Sequence, residues 1–389
     1  EFAKKWEYPL YWDLFKNVPM FLETEPKHAY SHVNTLSSAA MAYKVSGEAK
    51  YLNIIKNAYE YITKTQIYAT GGYGPREKLY REKGYLGDAL INPLEVCFGH
   101  VEVSCCSWAV FKLCKYLMEF TGEAKYADWT EKILYNCILP ELMPRNDGKL
   151  MYYAYYYLNG SVKNRHDGRM VESGQTFEWP CCSGTFIEAV AEYANLIYWK
   201  KENCIYISQY IPSEYKTKIG KTEITIKICT EYPKNNKIKI FISSEAAIDA
   251  IIKLRKPQWT NCIKINGICN KNAKDGWIII KLDKNQCDTI LDMEMDIPLY
   301  FLPVDDEHKN IAALCCGPLV LTGNYSGVFS GDINNPQNWI HQVSEDELHF
   351  KTSLGTSEYF PYRSHHFKPF YEVLENEVYY LYHKFKLKG

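Results

Sequence analysis

Two pairs of adjacent cysteines are the residues in this chain best suited to chemistry. One lies in Trp179-Pro180-Cys181-Cys182-Ser183-Gly184-Thr185, the other in Glu102-Val103-Ser104-Cys105-Cys106-Ser107-Trp108. Adjacent cysteines bridge each other only through a strained peptide, so a disulfide within either pair is not expected. Thiolates and carboxylates are ligands for tetrahedral zinc, and Glu102, Cys105, Cys181 and Cys182 would together make a Cys₃Glu set. Glu102 and Cys105 are three residues apart, so one helical turn or a tight loop aims both at one point. Cys181 and Cys182 reach the same ion if Pro180 and Gly184 hold them in a loop between helices. The alternative is that all four sulfurs are inert buried thiols. A zinc-bound thiolate is also a nucleophile, because the metal keeps sulfur deprotonated near neutral pH.

A glycosidase built on such a thiolate needs an acid for the leaving oxygen. The stretch Ala69-Thr-Gly-Gly-Tyr-Gly-Pro-Arg-Glu77 offers Glu77, presented by a turn that Gly71-Gly72 and Gly74-Pro75 would fix. Without such a partner, Glu77 reads as a solvated surface carboxylate.

The elements that must position these residues fall into two halves. Up to about residue 200 the apolar residues recur at helical spacing, in 37–45, 51–64, 107–120 and 126–138. The segment SGEAKYLNIIKNAYEYI from Ser46 is echoed by TGEAKYADWTEKILYNCI from Thr121. In each, a glycine (Gly47, Gly122) stands where a left-handed helix cap is needed, which implies repeated helical hairpins. Beyond residue 200 the period becomes two: Ile224/Ile226/Ile228, Ile238/Ile240/Ile242 and Leu291/Met293/Met295/Ile297 alternate with polar residues. Turn signals at 233–236, 274–276 and Gly317-Pro318 separate the strands, most simply those of an antiparallel sandwich. The expected domains are therefore 1–200, helical, and 201–389, β-sandwich. Residues 323–370 are poorly periodic and read as a long loop before a closing strand at 378–387.

Composition narrows the function. With 45 basic and 46 acidic residues there is no electrostatic case for nucleic acid or an anionic membrane, and the longest apolar runs fall short of a membrane span. A 15% aromatic content, with 33 tyrosines, suits stacking on sugars as well as core packing. Of the 14 cysteines, Cys97, Cys114, Cys137 and Cys229 stand alone in periodic apolar stretches and read as small buried hydrophobes. A reduced chain, and hence a cytoplasmic location, is expected.

Taken together and in order, HAYSHVNT, ATGGYGPRE, EVSCCSWAVFKL, TGEAKYADWTEKILYN, WPCCSGT, CIYISQYIPSE and NIAALCCGPLVLTG resemble glycoside hydrolase family 127, typified by β-L-arabinofuranosidase. The resemblance implies an (α/α)₆ barrel followed by β-sandwich modules, and a retaining mechanism with a zinc-bound cysteine nucleophile. On this basis Cys181 is the nucleophile and Cys182, Cys105 and Glu102 are further Zn²⁺ ligands with it. Glu77 becomes the general acid/base, Glu131 and His32 become contacts to the sugar, and one tyrosine of Tyr152–Tyr157, with Tyr155 the first choice, lines the sugar pocket. The family pattern Glu-x-Cys is here Glu102-Val-Ser-Cys105, which leaves Cys106 as a fallback ligand. The sequence also opens in the middle of the expected barrel. Either the chain is a fragment, or a second polypeptide or self-association completes the ring around a carbohydrate substrate, or this is a reduced homologue. The other possibility is a non-catalytic remnant in which zinc only staples the scaffold or the chain only binds sugar.

Overall fold

The computed structural model describes residues 5, 7–16, 27–79, 83–91, 100–146, 149–165, 181–344 and 346–386. Cys97 and Pro180 lie outside them. Helices do precede strands along the chain, and the sheets are mostly antiparallel. No helix among the described residues is long and apolar enough to cross a membrane. Contacts divide the chain differently from its change of period. One compact unit is Glu1–Leu117, Lys132–Ala191 and Leu299–Gly389; the other is Met118–Glu131 and Glu192–Pro298.

In the first unit the helices Ala29–Ser46 and Ala49–Thr65 form the expected hairpin. Gly47 ends the first helix at φ 69°, its N–H bonded to the Tyr43 carbonyl at 2.8 Å. That left-handed conformation is open to glycine without the penalty a side chain would bring. The second helix buries Tyr51, Ile54, Ile55, Ala58 and Ile62, the i, i+3, i+4, i+7 stripe that defines an amphipathic face. The helix Val103–Thr121 follows the short strand His100–Glu102, and Cys181–Glu192 is the last long helix of this unit.

The same unit carries an eight-stranded sheet from residues 299–386. Its central strand Ile311–Cys316 is buried throughout. Asn136 ties it to the helical elements: the side-chain amide donates to the Pro318 carbonyl at 2.8 Å and its oxygen accepts from the Val320 N–H at 2.7 Å. The stretch 323–370, expected to be a loop, supplies the strands Val328–Phe329, Ile340–Ser344, Glu347–Thr352 and His366–Pro369. These strands are short and mostly solvated; Ile340–Ser344 buries only its first residue, so no period of two shows in the sequence.

In the second unit, six strands are ordered Ile268–Asn270, Ile263–Ile265, Asp288–Met295, Lys237–Ser244, Thr222–Thr230, Ser213–Ile219. A four-stranded sheet contains Ile251–Arg255 and Cys204–Ile207. The three alternating runs bury their apolar residues in register: Ile240 lies opposite both Ile228 and Leu291, and Ile238 opposite Met293. Pairs so placed are the unit of sheet stability. Cys229 departs from expectation: it alternates with Ile226 and Ile228, and so is exposed. Cys262 and Cys269 form a disulfide across the hairpin of Ile263–Ile265 and Ile268–Asn270. A wholly reduced chain is thus corrected to one with a single bridge among the described residues. Cys105, Cys106, Cys181 and Cys182 are all free, so neither adjacent pair is bridged internally, as expected.

Candidate active site

Three local structures in the first unit bring the thiols and carboxylates together. Glu102 ends a strand and Cys105 stands in the first turn of the helix that follows. Cys181 and Cys182 open the helix Cys181–Glu192, where a loop was expected. Glu77 closes the turn Pro75–Glu77. That turn is crowded: a Cβ on Gly74 (φ 75°) would sit 2.3 Å from the Ala29 Cβ, so only glycine fits. Arg76 and Glu77 also have positive φ, 57° and 60°, the kind of backbone strain that persists where surroundings enforce it.

One oxygen of Glu102 and the Sγ atoms of Cys105, Cys181 and Cys182 all lie within 4.8 Å of one another. Cys105 Sγ is 3.1 Å from Cys181 Sγ and accepts from the Thr185 hydroxyl at 3.2 Å. The Tyr152 hydroxyl donates to Glu102 Oε1 at 3.0 Å and lies 3.1 Å from Cys181 Sγ. Glu102 Oε2 is buried with no hydrogen-bond partner among the described residues. Burial first, and the Glu77 charge second, push the Glu102 carboxyl up to about 8. Hydrogen bonds from the Cys105 and Cys182 thiols hold Cys181 well below the usual thiol range. Burial raises Cys182, and the hydrogen bond to Cys181 raises Cys105. Negative charge therefore settles on Cys181, which is also the one exposed member of the set.

This donor set fits a tetrahedral zinc. Zn–S bonds near 2.3 Å place ligand sulfurs about 3.8 Å apart, a small expansion from the present spacing. Glu102 Oε1 lies 3.8 Å from Cys181 Sγ, on the side of the thiols, while Oε2 lies 3.7 Å from His28 Nε2. Cys106, the fallback ligand, instead turns its thiol toward the Tyr73 carbonyl at 3.8 Å.

Glu77 is buried rather than solvated, at 6% exposure. Tyr153 donates its hydroxyl to Oε1. His28 caps the helix Ala29–Ser46: its Nδ1 accepts from the Ser31 N–H at 3.3 Å. The proton of a neutral ring must then be on Nε2, which lies 3.2 Å from Glu77 Oε2 and 3.7 Å from Glu102 Oε2.

His28 is the member that sequence reasoning missed; within Tyr152–Tyr157 it favoured Tyr155, whereas Tyr152 and Tyr153 are the tyrosines that meet the two carboxylates. His28 sits in the same motif as His32, but its capping position shows only once the helix start is known. His32 is buried between the rings of Tyr11 and Phe15, with Nε2 2.8 Å from the Tyr11 carbonyl, and burial pushes it down to about 4. Tyr155 shares a strand face with Tyr153, 6.3 Å between ring centres, and its carbonyl accepts from the Tyr379 hydroxyl. Glu131 belongs to the second unit. There its carboxylate accepts from Arg255 at 2.5 Å, Tyr232 at 2.8 Å and Trp259 at 3.0 Å, leaving neither oxygen unengaged.

Two family models match in sequence: the β-L-arabinofuranosidase GH127 catalytic domain over residues 23–195, and the GH127 middle domain over residues 204–297. Comparison with curated proteins gives no match. Among solved structures, Ara127N, a GH127 β-L-arabinofuranosidase from Geobacillus stearothermophilus T6, superposes with a TM-score of 0.70 at 19% identity, covering 99% of this chain and 65% of its own. A second GH127 β-arabinofuranosidase gives 0.69 at 18% identity, with 93% and 60% covered. The chain thus spans less than two thirds of the length of these relatives, and at such identity the likeness is one of fold. The two sequence models together cover well over half of the residues, and on that ground the chain belongs to glycoside hydrolase family 127.

Proposed function

We propose that this protein is a retaining glycoside hydrolase acting on β-L-arabinofuranosides or a closely related sugar, with Zn²⁺ held by Glu102, Cys105, Cys181 and Cys182. The observation that carries this reading is a carboxylate–thiol cluster whose one exposed residue is Cys181 and whose Glu102 also lies within 4.8 Å of the Glu77 carboxyl and of His28. Bound zinc would keep the sulfur anionic at neutral pH. Cys181 Sγ attacks the anomeric carbon, forming a C–S bond as the C–O bond to the leaving group breaks. Glu77 gives its proton to the departing oxygen, then takes one from the water that displaces the sulfur. Two displacements at one carbon preserve its configuration. Tyr153 and His28 hold the Glu77 carboxyl between them, and Tyr152 steadies Cys181 and Glu102.

The test is the configuration of the first-formed sugar, followed by NMR during hydrolysis of an aryl β-L-arabinofuranoside, alongside a zinc count on the purified chain. Retention with one zinc per chain is expected. An inverted product, or turnover undiminished in zinc-free protein, would overturn the mechanism. Bound zinc with sugar-dependent stabilisation but no turnover would favour the stapled, non-catalytic reading.

A further inference from the structure

The mechanism uses one oxygen of Glu102 and leaves the other. Oε1 accepts from the Tyr152 hydroxyl and faces the thiols, whereas the buried Oε2 has no hydrogen bond among the described residues. A buried carboxylate oxygen in that state is one a cation can satisfy. Glu77 is arranged in the same way: Tyr153 donates to its Oε1, and Oε2 points to His28. The two tyrosines that fix the carboxylates are neighbours in the chain, with ring centres 4.3 Å apart.

His28 is what the two remaining oxygens share. Its Nε2 lies 3.2 Å from Glu77 Oε2 and 3.7 Å from Glu102 Oε2. One ligand atom from each of the three residues falls within 4.8 Å of the others. Nitrogen and oxygen ligands of tetrahedral zinc, bonded at about 2.0–2.1 Å, stand about 3.3 Å apart, so two edges of the triangle are already close to that length. The donor types agree as well. Two carboxylates balance a divalent charge, and an imidazole favours zinc over Mg²⁺ or Ca²⁺. The carboxylate side chains are 7% and 1% exposed and that of His28 is 32%, so an ion has a way in past the imidazole. An ion on Nε2 sends the ring proton to Nδ1, which gives up its 3.3 Å bond from the Ser31 N–H. One long hydrogen bond is exchanged for a metal bond.

Resting on the glycosidase reading above, we propose that His28, Glu77 and Glu102 form a second Zn²⁺ site, with Glu102 bridging it to the thiol site, and that filling it shuts the enzyme off. A Glu77 oxygen bonded to an ion has released its proton to solvent and has none for the leaving group. The first ion then activates and the second inhibits.

The experiment adds Co²⁺ to the purified chain carrying one zinc, for the parent and for His28→Ser. Serine still accepts a hydrogen bond at the helix start but offers no imidazole, and melting curves establish that the variant is folded. Cobalt held by nitrogen and oxygen absorbs weakly in the visible; cobalt held by thiolate absorbs strongly in the near ultraviolet. The parent should gain the visible bands alone, saturating at one cobalt per chain, and lose turnover of an aryl arabinofuranoside in step. In His28→Ser the cobalt affinity should fall about a hundredfold or more. A parent without visible bands, a thiolate band in their place, equal affinity in His28→Ser, or turnover that survives saturation would overturn the inhibitory site while leaving the glycosidase reading standing. A chain that holds no zinc at the outset, or turns over no glycoside, would overturn that reading and the inhibitory site with it.

Discussion

Each compact unit buries a glutamate among polar partners, and the two glutamates meet opposite fates. Glu131, in the second unit, is answered in full. Arg255, wholly buried, donates to Glu131 at 2.5 Å, to Asp128 at 2.6 Å and to the Ser208 carbonyl at 2.5 Å, while Tyr232 and Trp259 also donate to Glu131, so that both its oxygens are engaged. Glu102, in the first unit, keeps Oε2 buried without a hydrogen bond among the described residues, with His28 Nε2 at 3.7 Å, and shares its thiol cluster with the exposed residue Cys181. A saturated cluster fixes structure. An unsatisfied one is poised to bind something, because the uncompensated polar group already costs free energy that a ligand can recover.

The comparison can be broken most sharply at Cys181. Cys181→Ala should lower kcat on an aryl arabinofuranoside by roughly 10⁴-fold or more, as loss of a nucleophile does; a parent-like rate would remove the first cluster from catalysis. Next comes Arg255→Met, which strands two buried carboxylates and should cost about 3–5 kcal/mol in denaturant unfolding, while zinc per folded chain stays that of the parent. Glu102→Gln should show the reverse signature. Zinc affinity, measured by chelator competition, should weaken by about a hundredfold or more, with the metal-free stability changing by no more than about 1 kcal/mol.

Acid should also single out the first unit. His365 has neither ring nitrogen hydrogen-bonded, and lies 5.0 Å, centre to centre, from His383 amid Phe329 and Phe367. Burial, with the His383 and His366 charges adding to it, pushes His365 down to about 2, and burial pushes His383 to about 3. Both rings stay neutral in the fold, whereas the unfolded chain takes up protons below about 6.5. Stability is therefore lost as pH falls through that value, by about 2.7 kcal/mol per pH unit for the pair. The double variant His365→Leu/His383→Leu should show a correspondingly flatter dependence in unfolding titrations at pH 4–7. The smallest effect belongs to Tyr152→Phe, which deletes one hydrogen bond and should slow turnover about tenfold. A loss as large as that of Cys181→Ala would give the tyrosine more than a positioning part.

Much of the first cluster was legible because its members are chemically unusual. Adjacent thiols with a carboxylate three residues ahead stand out against helical sequence, and the glycines around Glu77 announce a constrained turn. The hairpin caps at Gly47 and Gly122 were equally plain, since a left-handed helix end leaves a local mark. The partners of ordinary type were not legible. Nothing local separates His28 from His32, or Tyr153 from Tyr155; helix start and strand face decide which of each pair meets the carboxylates. Arg255 gave no warning either, because it sits in an alternating strand and its partners Asp128 and Glu131 are distant in the chain.

The sequence alone determined element types, the turn that carries Glu77 and the residue types able to hold a metal, since propensity, period and donor chemistry act over a few neighbouring residues. Only the tertiary structure decided that Cys105 and Cys181 come within 3.1 Å, that one sulfur of the set remains exposed, and that residues 299–389 fold with the helices rather than with the preceding sheets. Those outcomes depend on which buried surfaces and hydrogen bonds are satisfied together across the chain, and no local pattern encodes that sum.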